Sequence, residues 1–152
     1  MHEGFSPESR SESVHLLRFP KHEVRPDAEF LMAEWEKLGS VREVVLKSLE
    51  EFRQKGIIGN SLEAKVLIHA RGETLGLLQR HRADLRYIFI VSCVDVVEAP
   101  NAKDEMRIDV VKADGWKCER CWNYSTAVGS DATYPTLCKR CVPAVMEMTS
   151  YV

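Results

Sequence analysis

The sequence predicts an α+β chain in which a helical segment is followed by a small α/β unit and a cysteine-bearing terminal unit. Three observations lead to this prediction. Apolar residues recur at helical spacing across residues 27–55. Between residues 65 and 112 the pattern changes to short β-branched runs on either side of one further helix. Two closely spaced cysteine pairs then follow within residues 118–141.

The helical segment is predicted to begin after Pro26, because Asp27 can cap a helix and Glu29 places negative charge in its first turn. A capping-box pattern at residues 40–43 predicts a second helix or a kinked continuation, which Gly56 is expected to end. The predicted apolar face of the first half consists of Phe30, Leu31, Trp35 and Leu38. That of the second half consists of Val41, Val44, Val45, Ser48, Leu49 and Phe52.

The α/β unit is predicted from three runs and the segment between the first two. Residues 65–70 indicate a strand, and residues 72–85 indicate a helix with Leu75, Leu78 and Leu85 turned inward. Residues 87–97 form a long apolar run that predicts a buried strand, and residues 107–112 alternate as a third strand does. The order strand, helix, strand predicts a right-handed crossover with parallel pairing.

The terminal unit carries two CxxC pairs, Cys118 with Cys121 and Cys138 with Cys141, separated by the sixteen residues 122–137. This spacing is typical of a zinc site in which four thiolates surround one ion. Since thiolates occupy every coordination position, the zinc is expected to be structural. The sequence therefore predicts a C-terminal four-cysteine zinc finger. Two disulfides are the weaker alternative without a secretory signal, and a redox CxxC needs only one pair.

Composition places limits on location and partners. The chain is 45% hydrophobic and 29% charged with a formal net charge of −2, so any nucleic-acid surface must be local. The fifth cysteine, Cys93, lies in an apolar run and is expected to be a buried free thiol, as in a reducing compartment. No apolar stretch reaches the roughly 18 residues of a membrane span. We therefore expect a cytoplasmic location and no membrane partner.

Basic and aromatic side chains around the cysteine pairs suit a nucleic-acid backbone and an unstacked base. The candidate contacts are Lys117, Arg120, Trp122, Lys139 and Arg140. The alternative is that the tryptophans form the core of a unit too small to have another. We expect this for Trp116, whereas both interpretations stay open for Trp122. The basic residues alone are a weak indication, since charged side chains at the tip of a knuckle are often only solvated.

Five stretches in the same order resemble the C-terminal part of bacterial-type isoleucyl-tRNA synthetase. They are residues 13–16, the Trp35-bearing helix, residues 58–66, residues 85–92, and residues 117–124 with 138–142. The resemblance implies that residues 13–56 end a helical anticodon-binding domain, 57–114 form a small α/β junction and 115–146 form a zinc finger. Residues 1–12 are expected to be disordered, and residues 147–152 form a tail.

The resemblance also implies a function. In that family this end of the enzyme lies along the anticodon arm of isoleucine tRNA, so that tRNA and the remainder of the synthetase chain are the expected partners. The parent enzyme joins isoleucine to tRNA with ATP and Mg²⁺. The class I catalytic signatures and the editing domain are absent from these 152 residues. The chain by itself is therefore expected not to form an aminoacyl-adenylate.

Two alternatives come from other classes of protein. DNA glycosylases of the formamidopyrimidine type end in a similar DNA-binding finger. They need an N-terminal proline and an arginine between the knuckles, whereas this chain begins Met1-His2-Glu3 and has no lysine or arginine in residues 123–137. The other alternative is a zinc-ribbon module that docks onto a protein.

Overall fold

A computed structural model describes residues 25–99 and 106–149, and it has the helices and strands of the predicted α+β class. Sequence predictions for residues 1–24, 100–105 and 150–152 lie outside the described residues. The helices are α1 (Ala28–Gln54), α2 (Gly72–Arg80), α3 (Leu85–Ile88) and α4 (Cys141–Thr149), with a 3₁₀ turn at Ser61–Glu63. The strands are β1 (Ala64–Ala70), β2 (Cys93–Glu98), β3 (Met106–Lys112), β4 (Trp116–Lys117) and β5 (Tyr124–Ser125).

The larger sheet has the strand order β2-β1-β3. β1 runs parallel to β2, which confirms the predicted parallel pairing, and β3 returns antiparallel on the other side of β1. Along the central strand, alternate residues are fully buried, namely Ala64, Val66, Ile68 and Ala70. This period of two shows that one face of β1 is covered completely.

One apolar core joins α1 to the sheet and to the helices that follow β1. Its members include Leu38 and Val45 from α1, Ile68 from β1, Leu78 from α2 and Phe89, all with no exposed surface. The predicted division between residues 56 and 57 therefore lies within one continuous core. The assignment of residues 13–56 and 57–114 to separate domains stays a prediction.

α1 is one uninterrupted helix, so the predicted second helix from residue 40 is wrong; its alternative, a kinked continuation, stays a prediction. The Ser40 hydroxyl donates to the Glu36 carbonyl at 3.2 Å, one turn back, and does not cap a new helix. Asp27 precedes the helix but makes no side-chain cap; its carboxylate accepts from Arg25 at 3.0 and 3.1 Å. The helix ends at Gln54, two residues before the predicted stop at Gly56, whose φ of 71° permits the closing hydrogen bonds of the C-terminal turn.

The buried stripe of α1 differs from the predicted face in its first half and at Val44, which is 46% exposed. It consists of Glu34, Leu38, Val41, Val45 and Leu49. Phe30 and Trp35 are 63% and 54% exposed, so their prediction as inward residues is wrong. Glu34 takes the inward position because Arg80 and His81, both distant in sequence, bond its carboxylate. Tertiary partners thus reverse what hydrophobicity alone indicates.

Residues 87–97 do not form one strand. The chain is helical at α3, passes through Ile90 with a left-handed φ of 57°, and enters β2 only at Cys93. Phe89 and Val91 are buried on either side of this turn, so packing overrides the β propensity of the run. The predicted helix of residues 72–85 likewise ends at Arg80. Its inward leucines are confirmed, because Leu78 and Leu85 are fully buried and Leu75 packs against the core.

Cys93 begins β2 and is a free thiol, but it is only half-buried. Burial still raises the pKa of its thiol above the ordinary value. Among the helices of the described residues, none combines the length and the apolar character that crossing a membrane requires.

Candidate metal centre

The structure brings together all four cysteines of the two CxxC pairs. Their sulfur atoms lie within 4.8 Å of one another, and the Cys121 and Cys138 sulfurs are 3.8 Å apart. A zinc tetrahedron with Zn–S bonds of about 2.3 Å has S–S edges of about 3.8 Å, so the cluster suits one zinc ion. Every cysteine of the chain is free, which leaves no disulfide to compete with this arrangement.

The first knuckle is a tight turn at the end of the hairpin formed by β4 and β5. The Trp122 amide donates to the Cys118 carbonyl at 2.8 Å, and the Cys118 amide donates to the Asn123 carbonyl at 2.9 Å. Trp122 adopts a left-handed φ of 63°, and its indole N–H donates to the Glu119 carbonyl at 3.1 Å. These bonds turn the chain so that both sulfurs of the pair face inward.

Gly115 allows the hairpin to close. Its φ is 85°, and a Cβ placed there would lie 2.3 Å from the backbone carbon of Ser125 on the opposite strand. No larger residue fits such an approach without moving the backbone. The glycine therefore sets the position at which the first knuckle begins.

The second knuckle continues directly into a helix. The Cys138 amide donates to the Cys118 sulfur at 3.3 Å, which joins the two knuckles. The Cys141 amide donates to the Cys138 carbonyl at 2.8 Å, and α4 begins at Cys141. The small core of this unit consists of the cysteines with Val128 and Leu137 against them. The cluster thus replaces the apolar core that so short a segment lacks.

The two knuckle arginines face the cluster. The Arg120 guanidinium lies 3.7 Å from the Cys141 sulfur. The Arg140 guanidinium donates to the Tyr87 hydroxyl at 3.1 Å and lines the same cleft as Cys121. Sequence reasoning assigned both arginines to the nucleic-acid surface and missed these contacts. One feature of the sequence could have indicated a role at the cysteines, namely the arginine at the third position of both knuckles.

These surroundings give the thiols different acidities. Burial opposes ionisation of Cys121, but the backbone N–H of Asn123 and the Arg140 guanidinium together lower its pKa to about 6. Burial raises the pKa of Cys141 to about 11. Cys121 is therefore readier than Cys141 to bind a metal cation as a thiolate near neutral pH.

Ser92 connects the cysteine-bearing unit to the α/β unit. Its buried hydroxyl accepts from the Tyr124 amide at 2.7 Å and donates to the Leu62 carbonyl. A cleft of about 500 Å³ lies beside this contact, between the two units. The basic side chains that line it are Lys65, Arg86, Lys139 and Arg140. Lys65 is paired with Asp95 at 2.8 Å, whereas the other three form no ion pair with a carboxylate in the described residues.

The tryptophans of this unit lie at its surface. Trp116 is 75% exposed and Trp122 is 60% exposed, so the expectation that Trp116 forms a core is wrong. The Lys117 ammonium lies 5.2 Å from the centre of the Trp122 ring, which makes a cation–π pair. Lys139 is exposed on the second knuckle. All five predicted contacts are exposed, and three of them, Lys117, Trp122 and Lys139, make no hydrogen bond to a sulfur in the described residues.

Fold and site together define a zinc-finger protein, in which a four-cysteine finger is joined to an α/β unit. Residues 115–144 match the family described as a zinc finger found in FPG and IleRS. Over nearly its whole length, the chain is also homologous to one part of isoleucine–tRNA ligases, which confirms the resemblance seen in the sequence. The glycosylase alternative has less support, because similarity outside the finger is to the ligases.

The relatives are much longer than this chain. The isoleucine–tRNA ligase of Geobacter sulfurreducens is 40% identical over 149 residues, which cover 93% of this chain and 16% of the relative. The ligase of Syntrophotalea carbinolica is 42% identical over 152 residues, which cover 95% of this chain and 16% of the relative. The ligase of Dichelobacter nodosus is 44% identical over 142 residues, which cover 93% of this chain and 15% of the relative. The chain thus spans about 16% of the length of the first two of these relatives.

Proposed function

We propose that this chain is a tRNA-binding part of an isoleucine–tRNA ligase and that it helps to hold the anticodon arm of isoleucine tRNA in the cytoplasm. The observation that carries the proposal is identity of 40% or more to isoleucine–tRNA ligases across over nine-tenths of the chain. Such similarity includes α1 and the α/β unit as well as the finger. The remainder of the ligase supplies the chemistry, with ATP and Mg²⁺.

Within this function, Cys118, Cys121, Cys138 and Cys141 hold one structural Zn²⁺. The sulfur spacing and the lack of any other core in the unit support this assignment. When bound, the ion supplies folding energy and no reaction step, because four thiolates leave no position open for water or substrate. The cysteines thereby keep the hairpin, the second knuckle and α4 in one arrangement.

The surface offered to tRNA is formed by Lys117, Trp122 and Lys139. An ammonium group binds a phosphate oxygen through charge, and an exposed indole ring can stack on an unpaired base. The pairing of Lys117 with Trp122 places both functions side by side. Since the whole chain has a net charge of −2, this local surface must supply the attraction for RNA.

The test is filter binding of the zinc-loaded chain to isoleucine tRNA, to a tRNA with another anticodon and to duplex DNA, over a series of salt concentrations. We expect isoleucine tRNA to bind most tightly, with affinity that falls as salt rises. Preference for duplex DNA would favour the glycosylase alternative. Absence of binding to any nucleic acid, both alone and with the remainder of a ligase supplied, would favour a protein-docking module.

A further inference from the structure

The two knuckles repeat one arrangement of arginine and sulfur. Their sequences are Cys-Glu-Arg-Cys and Cys-Lys-Arg-Cys, with arginine before the last cysteine in each. Arg120 of the first knuckle reaches the Cys141 sulfur of the second at 3.7 Å. Arg140 of the second lines the same cleft as Cys121 of the first, and its guanidinium lowers the pKa of that thiol. Each arginine therefore lies beside the last cysteine of the opposite knuckle.

The charge of a zinc tetrathiolate explains why cations belong there. Zn²⁺ with four thiolates carries a net charge of about −2, and the Cys118 and Cys141 ligands are buried. A guanidinium group is a delocalised cation with several N–H donors in one plane, and it tolerates partial burial better than an ammonium group. Two arginines thus supply a matching positive charge and hydrogen bonds to the sulfurs.

No carboxylate of the described residues competes for either arginine. Arg120 and Arg140 form no ion pair with an aspartate or glutamate there, whereas Arg25, Arg53, Arg80 and Arg107 do. Lys139, which is exposed like both arginines, lies between Cys138 and Arg140 and makes no hydrogen bond to a sulfur in the described residues. The contacts are therefore particular to the arginine positions and are not a general property of charge near the cluster.

Arg140 has a second contact that Arg120 lacks. Its guanidinium donates to the Tyr87 hydroxyl at 3.1 Å and lies 5.6 Å from the centre of that ring. Tyr87 belongs to α3, so Arg140 connects the cysteine cluster to the α/β unit. The loss of Arg140 should therefore affect the placement of the finger as well as its metal.

We propose that Arg120 and Arg140 are positioning residues of the zinc centre, which brace each knuckle against the opposite one and neutralise the charge of the thiolates. The proposal rests on zinc binding by the four cysteines and is independent of tRNA binding. It removes both arginines from the set of direct phosphate contacts and leaves Lys117 and Lys139 as the cations of that surface.

The test compares Arg120→Gln, Arg140→Gln and the matched control Lys139→Gln in the whole chain. Zinc affinity is measured by competition with a chelator, and the geometry of the site by the absorption spectrum of the Co²⁺-substituted protein. We expect both arginine variants to bind zinc about 10–100-fold more weakly, as is usual when a group bonded to a metal ligand is lost. The control, Lys139→Gln, should keep the zinc affinity of the unchanged protein.

Arg120→Lys and Arg140→Lys keep the charge but lose the planar donors, so we expect intermediate zinc affinities and a tetrahedral Co²⁺ spectrum at saturating metal. If a glutamine variant does not fold, the zinc affinities of these lysine variants still test the proposal. Equal zinc affinity in all variants, or an equal loss in Lys139→Gln, would overturn the proposal. The proposal would also be overturned if the arginine variants kept their zinc affinity but bound tRNA more weakly at saturating zinc. That result would indicate that the arginines contact phosphate. If the unchanged chain binds zinc but no tRNA, only the proposed function fails.

Discussion

Trp122 is held outward by its own backbone. The left-handed turn after Cys121 and the indole bond to the Glu119 carbonyl keep the ring in place with 60% of the residue exposed. We predict that Trp122→Ala keeps its zinc but binds isoleucine tRNA more weakly by about 1–3 kcal/mol, with little change in salt dependence. Filter binding after a metal assay measures this.

Lys117→Gln provides the comparison, since loss of one phosphate contact should lower the salt slope by about one unit. Arg82→Gln, an exposed change on the α/β unit, is the control and should change neither the tRNA affinity nor the salt slope. Normal tRNA affinity in a folded, zinc-loaded Trp122→Ala variant would eliminate the stacking role.

Glu34 is a carboxylate on the buried stripe of α1, bonded by Arg80 at 2.6 Å and His81 at 3.1 Å. The Arg80 hydrogen bond, helped by His81 and opposed by desolvation, lowers its pKa below 4.5. Because the folded-state pKa is depressed, its stabilisation is complete above the ordinary pKa and is lost as pH falls through the folded value. We predict that acid destabilises the chain in part through Glu34.

Denaturant unfolding, repeated from neutral pH to below the ordinary carboxyl pKa, measures this contribution. Glu34→Gln should lower stability at neutral pH and flatten the acid limb of the profile, whereas the exposed change Glu43→Gln should leave its shape unchanged. Identical acid limbs for Glu34→Gln and the unchanged chain would contradict the prediction.

Glycine positions offer a contrast between backbone strain and steric conflict. Gly115→Ala should weaken zinc binding and destabilise the hairpin, since its Cβ would lie 2.3 Å from Ser125 backbone. Gly129 has a similar φ of 86° but only an ordinary contact at 3.5 Å, so Gly129→Ala should cost about the 1–2 kcal/mol of left-handed backbone. Chelator competition measures the zinc affinity of the two variants, and thermal unfolding measures their stability. Equal effects of Gly115→Ala and Gly129→Ala would show that the close approach of Gly115 to the Ser125 backbone is unimportant.

At the level of elements, the molecule has two cores of different kinds. α1, the three-stranded sheet and α2 share apolar residues, whereas β4, β5 and α4 depend on the cysteine cluster. We predict that a chelator, or Cys138→Ser, unfolds residues 115–146 and leaves the three-stranded sheet intact. The reason is that metal binding is folding energy for a unit without its own core.

Amide exchange is the suitable measurement, because it reports each strand separately. Protection should be lost in β4, β5 and the knuckles but kept in β1. Loss of protection throughout the chain would show that the finger and the α/β unit fold as one, and the predicted division near residue 114 would be wrong.

For the whole molecule, the chain matches about one-sixth of each ligase compared. Its 152 residues contain none of the class I catalytic signatures. We predict no ATP–pyrophosphate exchange with isoleucine by the 152 residues alone, at any zinc concentration. A radiolabelled exchange assay, with a full-length isoleucine–tRNA ligase as positive control, measures this. Exchange above background in the isolated chain would contradict the proposed division of labour.

Some features of this protein follow from patterns that are local in the chain. The CxxC spacing predicted the sulfur cluster, because two residues between ligands suffice for a turn around one ion. The apolar run at residues 65–70 and the alternation at residues 107–112 predicted β1 and β3. The order strand, helix, strand predicted the parallel pairing of β1 with the next strand. Similarity of five short motifs in order predicted the relation to isoleucyl-tRNA synthetase. Each of these depends on residues close together or on their order.

Other features depend on partners far apart in the chain, and sequence reasoning missed them. Glu34 is buried because Arg80 and His81 meet it across the fold, and Trp116 is exposed because the cysteine cluster already forms the core of its unit. Arg120 and Arg140 turn toward sulfur because folding places each beside the opposite knuckle. Local hydrophobicity and charge predict whether a residue prefers water, but the position of its counter-charge is set only when the chain is packed.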